Sequence, residues 1–124
     1  MYKLDQTQTP LFDALMEYVN RNTIPFHVPG HKKGHGMDDK FKNFVGNNVL
    51  SIDVTVFKLV DSLHHPTGPI KKAQELAADA YGSDRAFFSI NGTSGAIQAM
   101  IMSTVTQGDK IIIPRNVHKS VTAG

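Results

Sequence analysis

Phe87-Phe88-Ser89-Ile90-Asn91-Gly92-Thr93-Ser94-Gly95-Ala96, with the apolar run that continues to Val105, decides the fold. It reads as a buried strand, a sharp turn and a buried helix. The first N–H groups of a helix lack partners inside it, and the aligned peptide dipoles make that end positive. A phosphate placed there collects several charge-assisted hydrogen bonds. Gly92 and Gly95 let the backbone approach an anion closely, and Thr93 and Ser94 add hydroxyl donors. The same residues also suit an ordinary strand-to-helix turn in which Thr93 or Ser94 is the N-cap, and the turn by itself leaves both readings open.

The surroundings of this stretch set the fold class. Arg85–Ile90 is apolar on both faces, as a sheet covered by helices requires. The helix from Ser94 to Thr106 is apolar nearly all round, and Gly108-Asp109 stops it. Lys110-Ile111-Ile112-Ile113-Pro114 reads as a second buried strand that ends at its proline. Strand, helix and strand at this spacing predict a βαβ unit with parallel pairing and a right-handed crossover, hence an α/β fold. Ligands of such sheets bind beyond the carboxyl ends of the strands, so Asn91–Gly95 and Arg115–Ser120 are expected to face one cleft. Two strands cannot cover helices this apolar, which leads to the expectation that the chain is the N-terminal portion of a longer protein.

Upstream, Thr9-Pro10 starts a helix in which Leu11, Ala14, Leu15, Tyr18 and Val19 share a face. Ile24–Gly36 follows, with prolines at 25 and 29 and glycines at 30, 34 and 36, and cannot be a regular helix. Histidines 27, 31 and 35 are spaced by four, but without a helix that spacing aligns nothing, and no metal site is expected. The residues alone leave this segment as an exposed basic loop or a loop beside an active site. Asp38–Asn48 predicts a short helix with Phe41, Phe44 and Val45 inward and Gly46 ending it. Asp53-Val54-Thr55 is a short strand, an extended segment facing a cleft, or a turn capped by Asp53. Pro69 opens a helix to Tyr81 with Ile70, Ala73, Ala77, Ala80 and Tyr81 on one face, and Gly82 closes it.

The composition narrows the class. The chain has 124 residues, enough for one domain. A net charge of +2 is too small a bias to point to nucleic acid or an anionic membrane. There is no cysteine, so disulfides and thiol catalysis are excluded. The polar opening Met1-Tyr2-Lys3-Leu4-Asp5-Gln6 is no signal segment, and no apolar run approaches the ~20 residues of a membrane span, so a cytoplasmic protein is the default expectation.

Four stretches together resemble the bacterial Orn/Lys/Arg decarboxylases. Pro25-Phe26-His27-Val28-Pro29-Gly30-His31-Lys32-Lys33-Gly34 is similar to their N-terminal signature. Asp53, Thr55, Leu63 and Pro66–Ile70 resemble their next block, Asn91-Gly92-Thr93-Ser94 their phosphate turn, and Asn116-Val117-His118-Lys119-Ser120 the segment that sets a histidine over the cofactor. Order and spacing agree from Thr9 onward, and the likeness is nearest to the shorter, biosynthetic-type arginine decarboxylases.

The resemblance implies a pyridoxal 5′-phosphate (PLP) enzyme of the aspartate-aminotransferase-like fold, a three-layer domain with a mostly parallel sheet. Residues 1–50 would form an N-terminal helix and a Pro/Gly-rich arm, and residues 51–124 the start of the cofactor-binding large domain. It further implies that Thr93, Ser94 and Gly95 bind the cofactor phosphate, that His118 stacks on the ring as the catalytic histidine, and that Ser120 gives a further phosphate or substrate contact. His27 and His31 would lie at the active-site mouth. The implied reaction is decarboxylation of a basic amino acid, arginine to agmatine first and lysine or ornithine next, by a homodimer or higher homo-oligomer. In the family the Schiff-base lysine and the acid facing the ring nitrogen come from further downstream. Lys119 is not expected to be that lysine, because its segment covers the ring face. A non-catalytic phosphate-binding or assembly fragment is the competing reading.

Overall fold

The computed structural model describes residues 3–123, which form two compact units, one reaching to Ala86 and one starting at Phe87. In the first unit the chain makes helix α1 (Pro10–Asn20), a 3₁₀ turn at Lys32–Gly34, α2 (Asp39–Val45), α3 (Asn47–Ile52) and α4 (Pro69–Tyr81). In the second it makes α5 (Gly92–Thr104) and α6 (Lys119–Thr122).

Proline sets where the two long helices of the first unit begin. Its fixed φ suits the first helical turn, and its missing N–H falls where a helix has no internal acceptor. Pro10 opens α1 and Pro69 opens α4. α1 packs on α4 and on α3, and α3 packs on the 3₁₀ turn. Among the described residues the buried apolar ones are few: Ala14 and Tyr18 of α1, Leu50 of α3, Val60 of the 57–61 turn and Ala78 of α4. An apolar groove of about 340 Å³ stays open between them, lined by Leu11, Leu15, Val54, Val56, Leu63 and Ile70.

The first unit is fastened by carboxylates on backbone N–H groups. Asp61 is buried and lies in the left-handed region at φ 73°. Its Oδ2 accepts from the N–H groups of Gly68 at 2.7 Å, Ile70 at 3.2 Å and Lys71 at 3.4 Å, and its Oδ1 from Ser62 at 2.9 Å and Thr67 at 3.0 Å. Gly68, at the N-cap of α4, has no side chain to offer, so a carboxylate seven residues upstream caps the helix. Burial pushes the Asp61 carboxyl up, but the N–H groups of Thr67, Ser62, Gly68 and Lys71 outweigh it and lower it to about 2. At the other end of α4, Asp79 accepts from the N–H groups of Lys3 and Leu4 and from the Gln6 side chain, which strap the start of the chain along the helix.

Several expected elements differ. Among the described residues no sheet forms; the lone strand-like pairing is an isolated antiparallel bridge between Phe57 and Asp61. Residues 85–90 and 110–114 lack regular structure and lie open, with Phe87 81% and Ile112 fully exposed. A strand is held by hydrogen bonds to a neighbour and by cover on its faces, and these two segments have neither here. The mostly parallel sheet expected from the sequence is therefore not formed. Phe44 points out at 88% exposure, and so does Tyr81. Phe41, also expected inward, is exposed at 47%, because a helix of two turns buries neither phenylalanine, and Tyr81 is the last residue of α4. No helix is long and apolar enough to cross a membrane.

Two consequences can be measured. Asp61→Ala should lower stability by about 1–2 kcal/mol, the scale of a lost helix cap, in chemical denaturation. Because the folded carboxyl lies below its unfolded value, its contribution is complete above roughly pH 4 and fades as pH falls through about 2. The variant should accordingly show a flatter acid limb than the parent, and equal acid limbs would remove the assignment. Gly34, at φ 88°, is buried against α3, where an added Cβ would stand 2.7 Å from Leu50 Cδ1. Gly34→Ala should therefore cost about 1–3 kcal/mol, and Leu50→Ala in the same background should recover part of the packing component.

Candidate functional site

The turn at the start of α5 is an uncapped helix end. Asn91 holds the N-cap position, yet its side chain makes no capping bond. Gly92 sits at φ 78° with open space where a Cβ would be, and Gly95 packs only on the Asn91 Cβ, at 3.6 Å from its own missing Cβ. Thr93 and Ser94 are exposed, and their hydroxyls and backbone N–H groups have no partner among the described residues. Residues 92–95 present N–H and hydroxyl groups able to donate at this end, and the Gly92 carbonyl beside them accepts from the Ser89 hydroxyl at 3.4 Å. Those donors fit a phosphate dianion, which needs several N–H and O–H groups and no competing carboxylate.

His118 and Ser120 form a local device on α6, which packs on α5 within the same unit. His118 is the N-cap residue of α6. Its Nδ1 accepts from the Ser120 backbone N–H at 3.2 Å and from the Ser120 hydroxyl at 2.8 Å. Because a backbone N–H can only donate, Nδ1 carries no proton in the neutral ring and Nε2 does. Ser120 is buried at 5% exposure, whereas His118 is exposed. The serine hydroxyl, expected from the resemblance to reach the phosphate or substrate, is thus turned onto the imidazole, because the first turn of α6 brings it back to its own N-cap.

His27 and His31 belong to the first unit. His27 Nδ1 donates to the Val28 carbonyl at 2.7 Å, which leaves Nε2 to accept from the Tyr18 hydroxyl at 2.8 Å. The His27, Tyr18 and Phe57 rings cluster with centroids 5.3–5.7 Å apart, and the Lys33 ammonium stands 4.9 Å over Tyr18. His31 has the reverse arrangement: Nδ1 accepts from the Gly34 N–H at 3.1 Å and Nε2 donates to Asp53 at 3.2 Å. Both lysines of the turn, Lys32 and Lys33, are held at positive φ. No cluster of three or more metal-ligating side chains occurs among the described residues.

Sequence reading missed three of these partners. Tyr18 was expected only as an apolar face residue, and its hydroxyl serves His27. Asp53 was expected to cap a turn or face a cleft, and it holds His31 across 22 residues of sequence. Asp61 carried no expectation. No local pattern marks any of these pairs, since each joins separate elements.

Residues 9–124 match the family described as Orn/Lys/Arg decarboxylase, major domain. The chain is 60% identical to an arginine decarboxylase of Bacillus anthracis over 98% of its own length and 24% of that protein, and 59% identical to one of Bacillus cereus over 95% and 26%. It is 38% identical to a lysine decarboxylase of Pseudomonas aeruginosa over 90% of its length and 16% of that protein. The chain thus spans about a quarter of the length of the arginine decarboxylases it matches. The match to the family runs through the arm, the turn of α5 and the His118 segment alike, and the chain belongs to the Orn/Lys/Arg decarboxylases.

Proposed function

We propose that this chain is part of a PLP-dependent decarboxylase acting on arginine, releasing CO₂ and agmatine. The observation that supports the cofactor assignment is the uncapped, glycine-opened end of α5, with the Thr93 and Ser94 hydroxyls beside it. Arginine is favoured over lysine by the higher identity to the arginine decarboxylases, 60% against 38%. In the complete protein, residues 85–90 and 110–114 would take their places in the parallel sheet of an aspartate-aminotransferase-like domain. The protein would work in the cytoplasm as a homodimer or higher homo-oligomer, which suits the apolar surface that Phe87, Ile90 and Ile112 leave open.

Thr93, Ser94 and the Gly95 N–H would hold the phosphate. When bound, the cofactor supplies an electron sink for the pair left on the α-carbon as CO₂ departs. Anchoring the phosphate restricts how the ring can shift, and loss of carboxylate depends on its bond standing perpendicular to that ring. His118 offers a ring face and an Nε2–H for holding the cofactor in that orientation. Ser120 supports His118, and His27 and His31 would serve the mouth of the site through the anchored loop that carries them.

In the full-length protein, exchanging Thr93 and Ser94 together for alanine should weaken PLP by at least ~1–3 kcal/mol, since hydrogen bonds to a charged group contribute ~1.5–3 each. Unchanged PLP affinity, measured by fluorescence titration, would sink the phosphate-turn assignment. His118→Ala should lower kcat far more than it lowers the melting temperature, whereas a loss confined to melting would make the residue structural. The parent protein should release labelled CO₂ from arginine faster than from lysine or ornithine. Release from none of the three, with PLP bound, would favour the phosphate-binding module over the enzyme.

A further inference from the structure

The His118–Ser120 pair carries an inference that rests on the cofactor reading above and deepens it. Two donors from one residue converge on Nδ1: the Ser120 N–H at 3.2 Å and its hydroxyl at 2.8 Å. The backbone donor fixes which nitrogen bears the proton. The hydroxyl, buried with its residue at 5% exposure, is a second donor to the same in-plane lone pair of Nδ1 and resists rotation of the ring about the Cβ–Cγ bond. No aromatic ring stacks on His118 and nothing bonds its Nε2 among the described residues, so one edge of the imidazole is tied and the rest is free.

We propose that Ser120 is a positioning residue: it locks the His118 imidazole as the Nε2–H tautomer, with Nδ1 turned into α6 and a ring face and the Nε2–H presented to the bound ring. In this arrangement His118 works as a stacking surface and a hydrogen-bond donor. It does not take a proton from substrate at Nε2, because that atom already bears one, nor at Nδ1, because that atom faces two donors. This differs from a direct contact between the Ser120 hydroxyl and phosphate, which would require the same proton to point away from His118.

Nitrogen-15 NMR of the full-length protein, labelled at histidine and free of cofactor, reads the tautomer directly. His118 should show a protonated Nε2 and an acceptor-type Nδ1. Ser120→Ala should keep the backbone bond and the Nε2–H tautomer but shift and broaden the Nδ1 resonance as the ring loses its second donor, and Ser120→Thr, which restores a hydroxyl, should return the parent pattern. A wild-type Nδ1–H ring, or a Ser120→Ala spectrum identical to the parent, overturns the proposal whether or not PLP is the cofactor. In the full-length, PLP-loaded protein, Ser120→Ala should lower kcat about two- to tenfold, the scale of one neutral hydrogen bond, while inorganic phosphate competes with PLP as in the parent. A tenfold weaker phosphate competition in Ser120→Ala would make the serine a phosphate ligand and overturn the positioning role. Should Thr93 and Ser94 prove indifferent to PLP while the tautomer result holds, the cofactor reading fails and the locked imidazole stands.

Discussion

The first unit depends on one carboxylate. Asp61 takes five backbone N–H groups, from Ser62 and Thr67 in the preceding loop and from Gly68, Ile70 and Lys71 at the start of α4. The helix end would otherwise present those donors to a partly buried, apolar surrounding, where an unpaired N–H is costly. The same contact folds the 57–61 turn back on itself, since Val60 and Asp61 both bond the Phe57 carbonyl. Phe57 is thereby held against Tyr18 and His27. A single polar interaction thus connects the start of α4, the turn before it and the aromatic cluster under the arm. With five buried apolar side chains among the described residues and none of them fully enclosed, the unit leans on such directed contacts more than on a large core.

What the sequence made legible follows from how local the cause is. Pro10 and Pro69 announce helix starts by their own geometry, and Gly46 and Gly82 mark ends by theirs, so α1, α2 and α4 lie where they were expected. Asp38 caps α2 through the N–H groups of Lys40 and Phe41, a contact within three residues. The strands were not realised because a strand is not a local object. Residues 110–114 have the composition of a buried strand, but composition supplies neither the neighbouring backbone nor the helices that cover it. The long-range pairs were illegible for the same reason. Nothing near Asp53 tells of His31, and nothing near Tyr18 tells of His27.

The site divides along the same line. The turn proposed to hold phosphate could be picked out because its glycines, hydroxyls and helix end are contiguous in sequence. His118 was legible from the family pattern, but the role of Ser120 required coordinates: a residue two places on can face outward or back, and only the first turn of α6 decides that it faces back. The arm histidines show the converse. Their residue types suggested a shared role at a mouth, yet the two rings are held in opposite tautomers by different partners. Whatever each contributes, they do not present the same atom.

Comparison of the two 13-residue helices gives the strongest physical argument for an anion at α5. Both α4 and α5 begin at a residue whose own N-cap gives no side-chain bond. At α4 the fold brings a carboxylate from elsewhere, and the negative charge meets both the free N–H groups and the positive end of the helix dipole. At α5 no acidic side chain reaches the equivalent donors among the described residues, while Gly92 keeps the approach open and Thr93 and Ser94 add two more donors. At α4 the part-buried N–H groups are met from inside the chain; at α5 residues 91–94 are exposed and their donors stay accessible, an arrangement compatible with the cofactor phosphate proposed above.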